Sequence, residues 1–261
     1  MLRALLWDVD GTLAETERDG HLRAFNRAFE TLGLPWRWSE QRYGELLAVA
    51  GGYERLLCDL ELRNDAPADS LERAQLARGI HREKNLIYEQ IVRAGELPLR
   101  AGVAELLEDC RNARLTMAIV TTTGRANVAA LLERQLGTTW RSGLATLICA
   151  EEAPLKKPDP LAYALALEAL RLAPGETLAI EDSPAGVEAA RRSGVPVIVT
   201  RSHYFRDSPV AGALAVGPSL GSCEGWSPPC GAPRAARITL DQISCWHALR
   251  ARRVARADGA L

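Results

Sequence analysis

Two aspartates two residues apart, Asp8 and Asp10, end the first apolar run of the chain and lead into Gly11 and Thr12. A carboxylate at a strand end can act as a nucleophile. A second one, two residues on, faces the same side of an extended chain and can move a proton. Thr121 and the Glu181-Asp182 pair end two later apolar runs, and Lys157-Pro158 lies in the loop after another. Two further acids can hold a hard divalent cation, with Mg²⁺ the natural choice for a phosphate substrate. A hydroxyl and an ammonium can bind phosphate oxygens. The set suits in-line phosphoryl transfer, where positioning and charge neutralisation dominate.

These groups need a scaffold that converges them. Residues 3–9 (RALLWDV) read as a buried strand. Strand-like runs at 115–121, 145–150, 177–182 and 195–200 alternate with helical stretches at 101–113, 125–136, 159–171 and 184–193. That alternation implies βαβ units, hence an α/β fold with a Rossmann-like parallel sheet whose ligands gather at the strands' C-terminal edge. No convincing strand occurs between about 14 and 95, and Leu22, Phe25, Phe29 and Leu32 recur at helical spacing. The expected organisation is therefore a core of 1–14 and 96–217 with an inserted helical cap at 15–95. A Gly/Pro-rich loop and a C-terminal helix follow at 218–261, the helix capped by Thr239; 212–217 reads as a last strand. Glu181-Asp182 could also cap the helix beyond Ser183-Pro184. Trp36 and Trp38 beside Pro35 read as packing residues.

At these positions the chain resembles the haloacid dehalogenase superfamily of phosphohydrolases, whose motifs are DxDGT, a Ser/Thr strand end, a Lys and an acidic pair. DVDGTLAETE (8–17), HLRAFN (21–26), YGELLAVAGGYER (43–55), GIHREK (79–84), AIVTTT (118–123), KKPDP (156–160) and EDSPAG (181–186) are similar to its CbbY-like branch. That branch comprises sugar-bisphosphate phosphatases related to β-phosphoglucomutase, and the resemblance covers roughly residues 1–205. It implies that Asp8 attacks phosphorus to form an aspartyl-phosphate, that Asp10 is the acid/base, and that Thr121 and Lys157 bind the phosphoryl group. It implies Mg²⁺ on Asp8, Asp182 and the Asp10 carbonyl, with Glu181 direct or through water. Dehalogenases of the superfamily lack the second aspartate, so Asp10 points to phosphate esters. Glu17, His21, Tyr43, Gly51, Gly52, Arg55, His81, Lys84, Thr122 and Thr123 are the implied substrate contacts, with Arg55, His81 and Lys84 suited to a second phosphate. His21 and Arg55 read equally well as solvated positions on amphipathic helices. The chain departs from the branch at Tyr53, which stands where relatives carry a lysine, and by one extra residue between Glu17 and His21.

The implied activity is a Mg²⁺-dependent sugar-phosphate phosphatase, with xylulose-1,5-bisphosphate the favoured substrate. A phosphosugar mutase, a phosphoglycolate phosphatase and a non-catalytic phosphosugar-binding protein are the alternatives. Composition sets the other bounds. The 261 residues carry a formal charge of −1, which argues against nucleic-acid coating or polybasic membrane binding. No apolar run is long enough for a signal or spanning segment, so a cytoplasmic monomer is expected. The six cysteines read as thiols; Cys223 and Cys230 bracket a turn and could pair or bind metal, but no CxxC or histidine accompanies them. Of 32 basic residues only three are lysines, Lys84, Lys156 and Lys157, and Lys156 has no role in this reading.

Overall fold

Short runs of Ala, Val, Ile and Leu, buried on both faces, form the strands of a six-stranded sheet in this computed structural model. They are β1 (Ala4–Trp7), β2 (Thr116–Val120), β3 (Thr146–Ile148), β4 (Thr177–Glu181), β5 (Val197–Thr200) and β6 (Ala215–Gly217). Their order is β3-β2-β1-β4-β5-β6, and every pairing is parallel. Such strands have no solvent-facing side, which is why they read as continuous apolar runs rather than alternating ones. The structure describes residues 1–228 and 236–258, with side chains as far as Leu249. None of the described helices is long and apolar enough to cross a membrane.

After β1 come the four helices of the inserted lobe, α1 (Arg23–Thr31), α2 (Glu40–Leu46), α3 (Gly52–Glu61) and α4 (Ser70–Arg93), preceded by a π-helical turn at Glu17–Leu22. Ser39 caps α2 through the Arg42 amide, and Asp69 caps α4 through Leu71 and Glu72. An aromatic cluster fills this lobe: Phe25 and Phe29 lie 4.7 and 5.1 Å from Trp38. Trp38 and Trp36 each donate at 2.7 Å, to Asp59 and Asp65, so both tryptophans are packing residues whose N–H groups are satisfied.

The core helices are α5 (Val103–Asn112), α6 (Arg125–Leu136), α7 (Leu161–Leu170), α8 (Pro184–Arg192) and α9 (Leu240–Asp258). Ser183, not the acidic pair, caps α8: its hydroxyl accepts from the Gly186 amide at 3.1 Å. That leaves Glu181 and Asp182 free to serve the site. Among the described residues the segment between β6 and α9 forms no helix or strand, as expected of a loop, but it is tied to the core. Ser227 bonds both ways to Val216 at 2.9 Å, covering the β6 edge. Arg237 grips Asp109 of α5 with two nitrogens at 2.8 and 2.9 Å. Trp226 stacks on Trp246 of α9, centroids 4.9 Å apart. Gln242 reaches back to the Thr239 amide at 2.9 Å, so the expected start of the last helix is half of a capping box.

One expectation needs correction. Cys245 is disulfide-bonded rather than a thiol. The sulfur of Cys223 instead bonds the Arg237 carbonyl at 3.0 Å and Gln242 at 3.2 Å, and Cys230 falls outside the described residues.

Candidate active site

The site is built on the C-terminal ends of β1, β2 and β4. The Asp8 amide continues the ladder, donating to Ile180 at 3.1 Å, and the chain then turns sharply, with Leu13 donating to Val9 at 2.9 Å and Gly11 to Ala14 at 2.8 Å. Gly11 has φ +79°, and a Cβ there would stand 2.0 Å from Asp182 Oδ2. The glycine of Asp-Gly-Thr is thus required twice, by conformation and by the nearness of the next carboxylate. Gly186 plays the matching part on α8, where a Cβ would lie 1.9 Å from Glu181 Oε2.

Lys157 is 5% exposed and is the hub of the cluster. Its ammonium donates to Asp8 Oδ1 at 2.7 Å, Glu181 Oε1 at 2.6 Å and the Val120 carbonyl at 2.8 Å. Tyr163 of α7 donates to the same Glu181 oxygen at 2.5 Å and offers its ring to the ammonium at 5.3 Å. Carboxylate oxygens of Asp8, Glu181 and Asp182 lie within 4.8 Å of one another, all three groups buried. Three acids thus face one lysine. Burial, aided by Glu181 and opposed by Lys157, pushes the Asp8 carboxyl up to about 7. Burial and the Asp8 charge hold Asp182 well above the usual carboxylate range. The Asp8 and Glu181 charges outweigh burial at Lys157 and raise its pKa. Excess buried negative charge and a buried Glu181 Oε2 with no hydrogen-bond partner fit a hard divalent cation, whose charge would remove the repulsion.

Asp10 is held differently. Thr16 donates to its Oδ1 at 2.5 Å, His21 Nε2 lies 3.2 Å from that oxygen, and Thr123 donates to Oδ2. Against the cost of burial, His21, Thr123 and Thr16 keep this carboxyl below its ordinary range. The two aspartates of one motif therefore sit in opposed environments, the arrangement that separates a nucleophile from an acid/base.

The helical lobe closes the other side of a cavity of about 490 Å³. Glu17, His21, Gly51, Gly52, Arg55, His81, Lys84, Thr122 and Thr123 line it together with Asp8, Asp10, Lys157 and Asp182. Glu17 accepts from Tyr43 at 2.5 Å and from Arg55 at 3.4 Å, and Arg55 donates to the Tyr43 hydroxyl at 3.0 Å. Arg55 and His21 are 8% and 5% exposed, which removes the solvated alternative for both. Burial lowers Lys84 to about 8, its ammonium lying over Phe25 and Tyr88 at 5.2 Å. Burial, then Lys84, lowers His81 to about 4, so it faces the cavity as a neutral imidazole. Three sequence-selected residues stand behind the cavity wall. Tyr43 orders Glu17 and Arg55, Glu181 orders Lys157, and the Thr121 hydroxyl accepts from the Thr123 amide at 3.1 Å.

Sequence reasoning missed Arg100, Tyr163 and Glu54. Arg100 donates to the carbonyls of Gly11, Thr200 at 3.2 Å and Pro218 at 3.0 Å, and pairs with Glu15 at 3.2 Å. It ties both linkers of the lobe to the sheet edge. Among 29 arginines nothing local marked it. Tyr163, six residues beyond Lys157, lies on α7 and reaches Glu181 across the core, a contact with no local sign in the sequence.

The chain is similar to known proteins over most of its length. The haloacid dehalogenase-like hydrolase family matches residues 2–194. The plasmid-borne protein CbbY of Cupriavidus necator is 43% identical over 220 residues, 84% of this chain and 86% of that protein. The crystal structure of CbbY from Rhodobacter sphaeroides in complex with phosphate superposes with a TM-score of 0.80 at 33% identity, covering 94% of this chain and all of the other. An aspartate-to-asparagine variant of that protein, solved with xylulose-(1,5)bisphosphate, gives 0.78 at 36% identity over 86% of this chain and 97% of that one.

Proposed function

The chain belongs to the haloacid dehalogenase-like hydrolase family, and on that premise we propose that it is a phosphatase of small phosphorylated sugars acting through an aspartyl-phosphate. We take xylulose-1,5-bisphosphate as its substrate. The observation that carries the reading is the pair of opposed aspartates: Asp8 on Lys157 among buried acids, Asp10 on His21 and Thr123, both facing a cavity of sugar-phosphate size that Arg55 and Lys84 also line. The cavity accepts a doubly phosphorylated sugar because Lys84 and Arg55 stand across it from Lys157, giving each phosphate a cation.

In the first transfer an Asp8 oxygen bonds to phosphorus as the sugar oxygen leaves, and Asp10 gives that oxygen a proton. In the second, water attacks phosphorus, its proton passes to Asp10, and the Asp8–phosphorus bond breaks to release phosphate. The low pKa of Asp10 prepares it for the second step. For the first, the negative charge of an incoming phosphate opposes the ionised form and favours the proton it must donate. Lys157 holds Asp8 in place and offsets the charge of the equatorial oxygens. Asp8, Asp182 and the Asp10 carbonyl, with Glu181 beside them, would hold Mg²⁺, which supplies charge neutralisation at the phosphoryl group. The helical lobe excludes water until the sugar is released.

The test is phosphate release from a panel of sugar mono- and bisphosphates with Mg²⁺, including ribulose and xylulose 1,5-bisphosphates, phosphoglycolate and hexose phosphates. Fastest turnover of xylulose-1,5-bisphosphate supports the reading; conversion of glucose 1-phosphate to glucose 6-phosphate without phosphate release would replace it with a mutase. The same reading takes the enzyme as a cytoplasmic monomer, which cell fractionation and sedimentation check.

A further inference from the structure

The two adjacent lysines of the β3–α7 loop diverge. Lys157 turns inward to Asp8, while Lys156 crosses the mouth of the cavity to the helical lobe, its ammonium 2.6 Å from Glu54 Oε1 on α3. The two side chains are 23% and 45% exposed, so the pair is neither buried nor free in solvent. Gly51, which precedes α3, makes room for it: with φ +98°, its Cβ would stand 2.0 Å from the Lys156 nitrogen and 2.1 Å from Glu54 Oε2. A side chain at 51 would push the Lys156 ammonium and the Glu54 carboxylate aside and strain the backbone. Lys156, Gly51 and Glu54 all line the cavity that holds Asp8 and Asp10.

This ion pair lies far in sequence from both linkers of the lobe, 14–16 and 94–100, which Arg100 anchors. A bond at the linkers restrains where the lobe is attached. A bond across the cavity mouth restrains whether it is closed. A compact ammonium on a straight stem fits the space above the Gly51 backbone, whereas a branched guanidinium would meet it. That accounts for a lysine in a chain that otherwise uses arginine for nearly every cation.

We propose that Lys156 and Glu54 form a latch that holds the helical lobe closed over Asp8, a positioning pair that acts through lobe closure and not by touching substrate. The proposal rests on the phosphatase reading for its kinetic consequences but not for the latch itself. Lys156→Met, Glu54→Gln and the double variant provide the test, none of them altering a residue that handles the phosphoryl group.

In the protein without substrate, amide hydrogen exchange across α3 is expected to be faster in each single variant and no faster in the double. The value of kcat/KM is expected to fall roughly 2- to 5-fold, the range one partly exposed ion pair commands. The fall should be equal for a sugar monophosphate and a sugar bisphosphate, with no further fall in the double variant. Unchanged exchange in both singles, or additive losses in the double, would overturn the latch. A loss confined to bisphosphates would also overturn it, making Lys156 a direct phosphate ligand. Because exchange is read without turnover, a wild-type protein inactive on every ester would sink the phosphatase reading while leaving the latch to stand or fall on its own.

Discussion

At the scale of single residues the site is a problem of charge. In the proposed mechanism Asp8 carries the covalent chemistry, so Asp8→Asn is expected to abolish turnover of every phosphate ester, by about 10⁴-fold or more. Its thermal unfolding should remain cooperative, since the amide can still accept from Lys157; phosphate release and calorimetry on one preparation check both. Lys157→Arg keeps the charge but cannot place one nitrogen within 2.8 Å of Asp8, Glu181 and the Val120 carbonyl at once. We expect a folded protein with severely reduced kcat. Lys84 sets the pH dependence. Burial lowers its pKa to about 8, so the ammonium is present below that pH and lost above it. An anionic substrate binds the charged form, and kcat/KM is expected to fall as pH rises through 8, approaching ~10-fold per pH unit if one charged lysine is required. Lys84→Met should lower the plateau and remove that step from the profile.

Elements matter here through their ends. The strand ends of β1 and β4 bring Asp8 and Glu181-Asp182 together because the register pairs Trp7 with Ile180, so the residues that follow each strand meet at one edge. Helix α8 then starts close against Glu181, and only Gly186 permits the approach. Gly186→Ala is expected to destabilise the protein by roughly 1–3 kcal/mol through overpacking and to weaken Mg²⁺ binding, read by calorimetric titration, because Glu181 must turn aside. Helix α7 presents Tyr163 beneath the same carboxylate. These contacts depend on which strand lies beside which. The motif residues were legible in sequence because strand ends punctuate apolar runs; the supporting residues were not, because a helix face that packs on a carboxylate looks like any other amphipathic face.

For the molecule as a whole, the C-terminal segment belongs to the core. The Gly102 backbone, with φ +84°, lies so near the tail that a Cβ would be 2.2 Å from the Leu220 carbonyl carbon. Gly102→Val is therefore expected to lift the tail off α5 and lower Tm by about 4–8 °C, the shift that ~2 kcal/mol produces at this chain length. Arg100, two residues from Gly102, joins the Pro218 carbonyl to that of Gly11, so kcat at 25 °C is expected to fall with Tm, which a phosphate assay beside differential scanning calorimetry checks. The described parts of the 218–237 loop, 218–228 and 236–237, form no helix or strand, as expected, yet they are tied down, since Gly, Pro and Ser describe only the freedom of an isolated chain. They do not show that Trp226, Ser227 and Arg237 find partners on β6, α9 and α5.

By itself the sequence determined the α/β alternation, the helical insertion, the family and the order of the four motifs, all of which are properties of periodicity and of residues spaced closely along the chain. Tertiary structure alone decided the rest. It made Asp8 and Asp10 electrostatic opposites although they are two residues apart, because one faces Lys157 and two acids while the other faces His21 and two hydroxyls. It placed Arg100 and Tyr163 at the site, and it sent two neighbouring lysines to opposite walls of one cavity. The physical reason is that charge and burial act through space, and a residue's neighbours in space are known only once the sheet has been ordered and the lobe has closed.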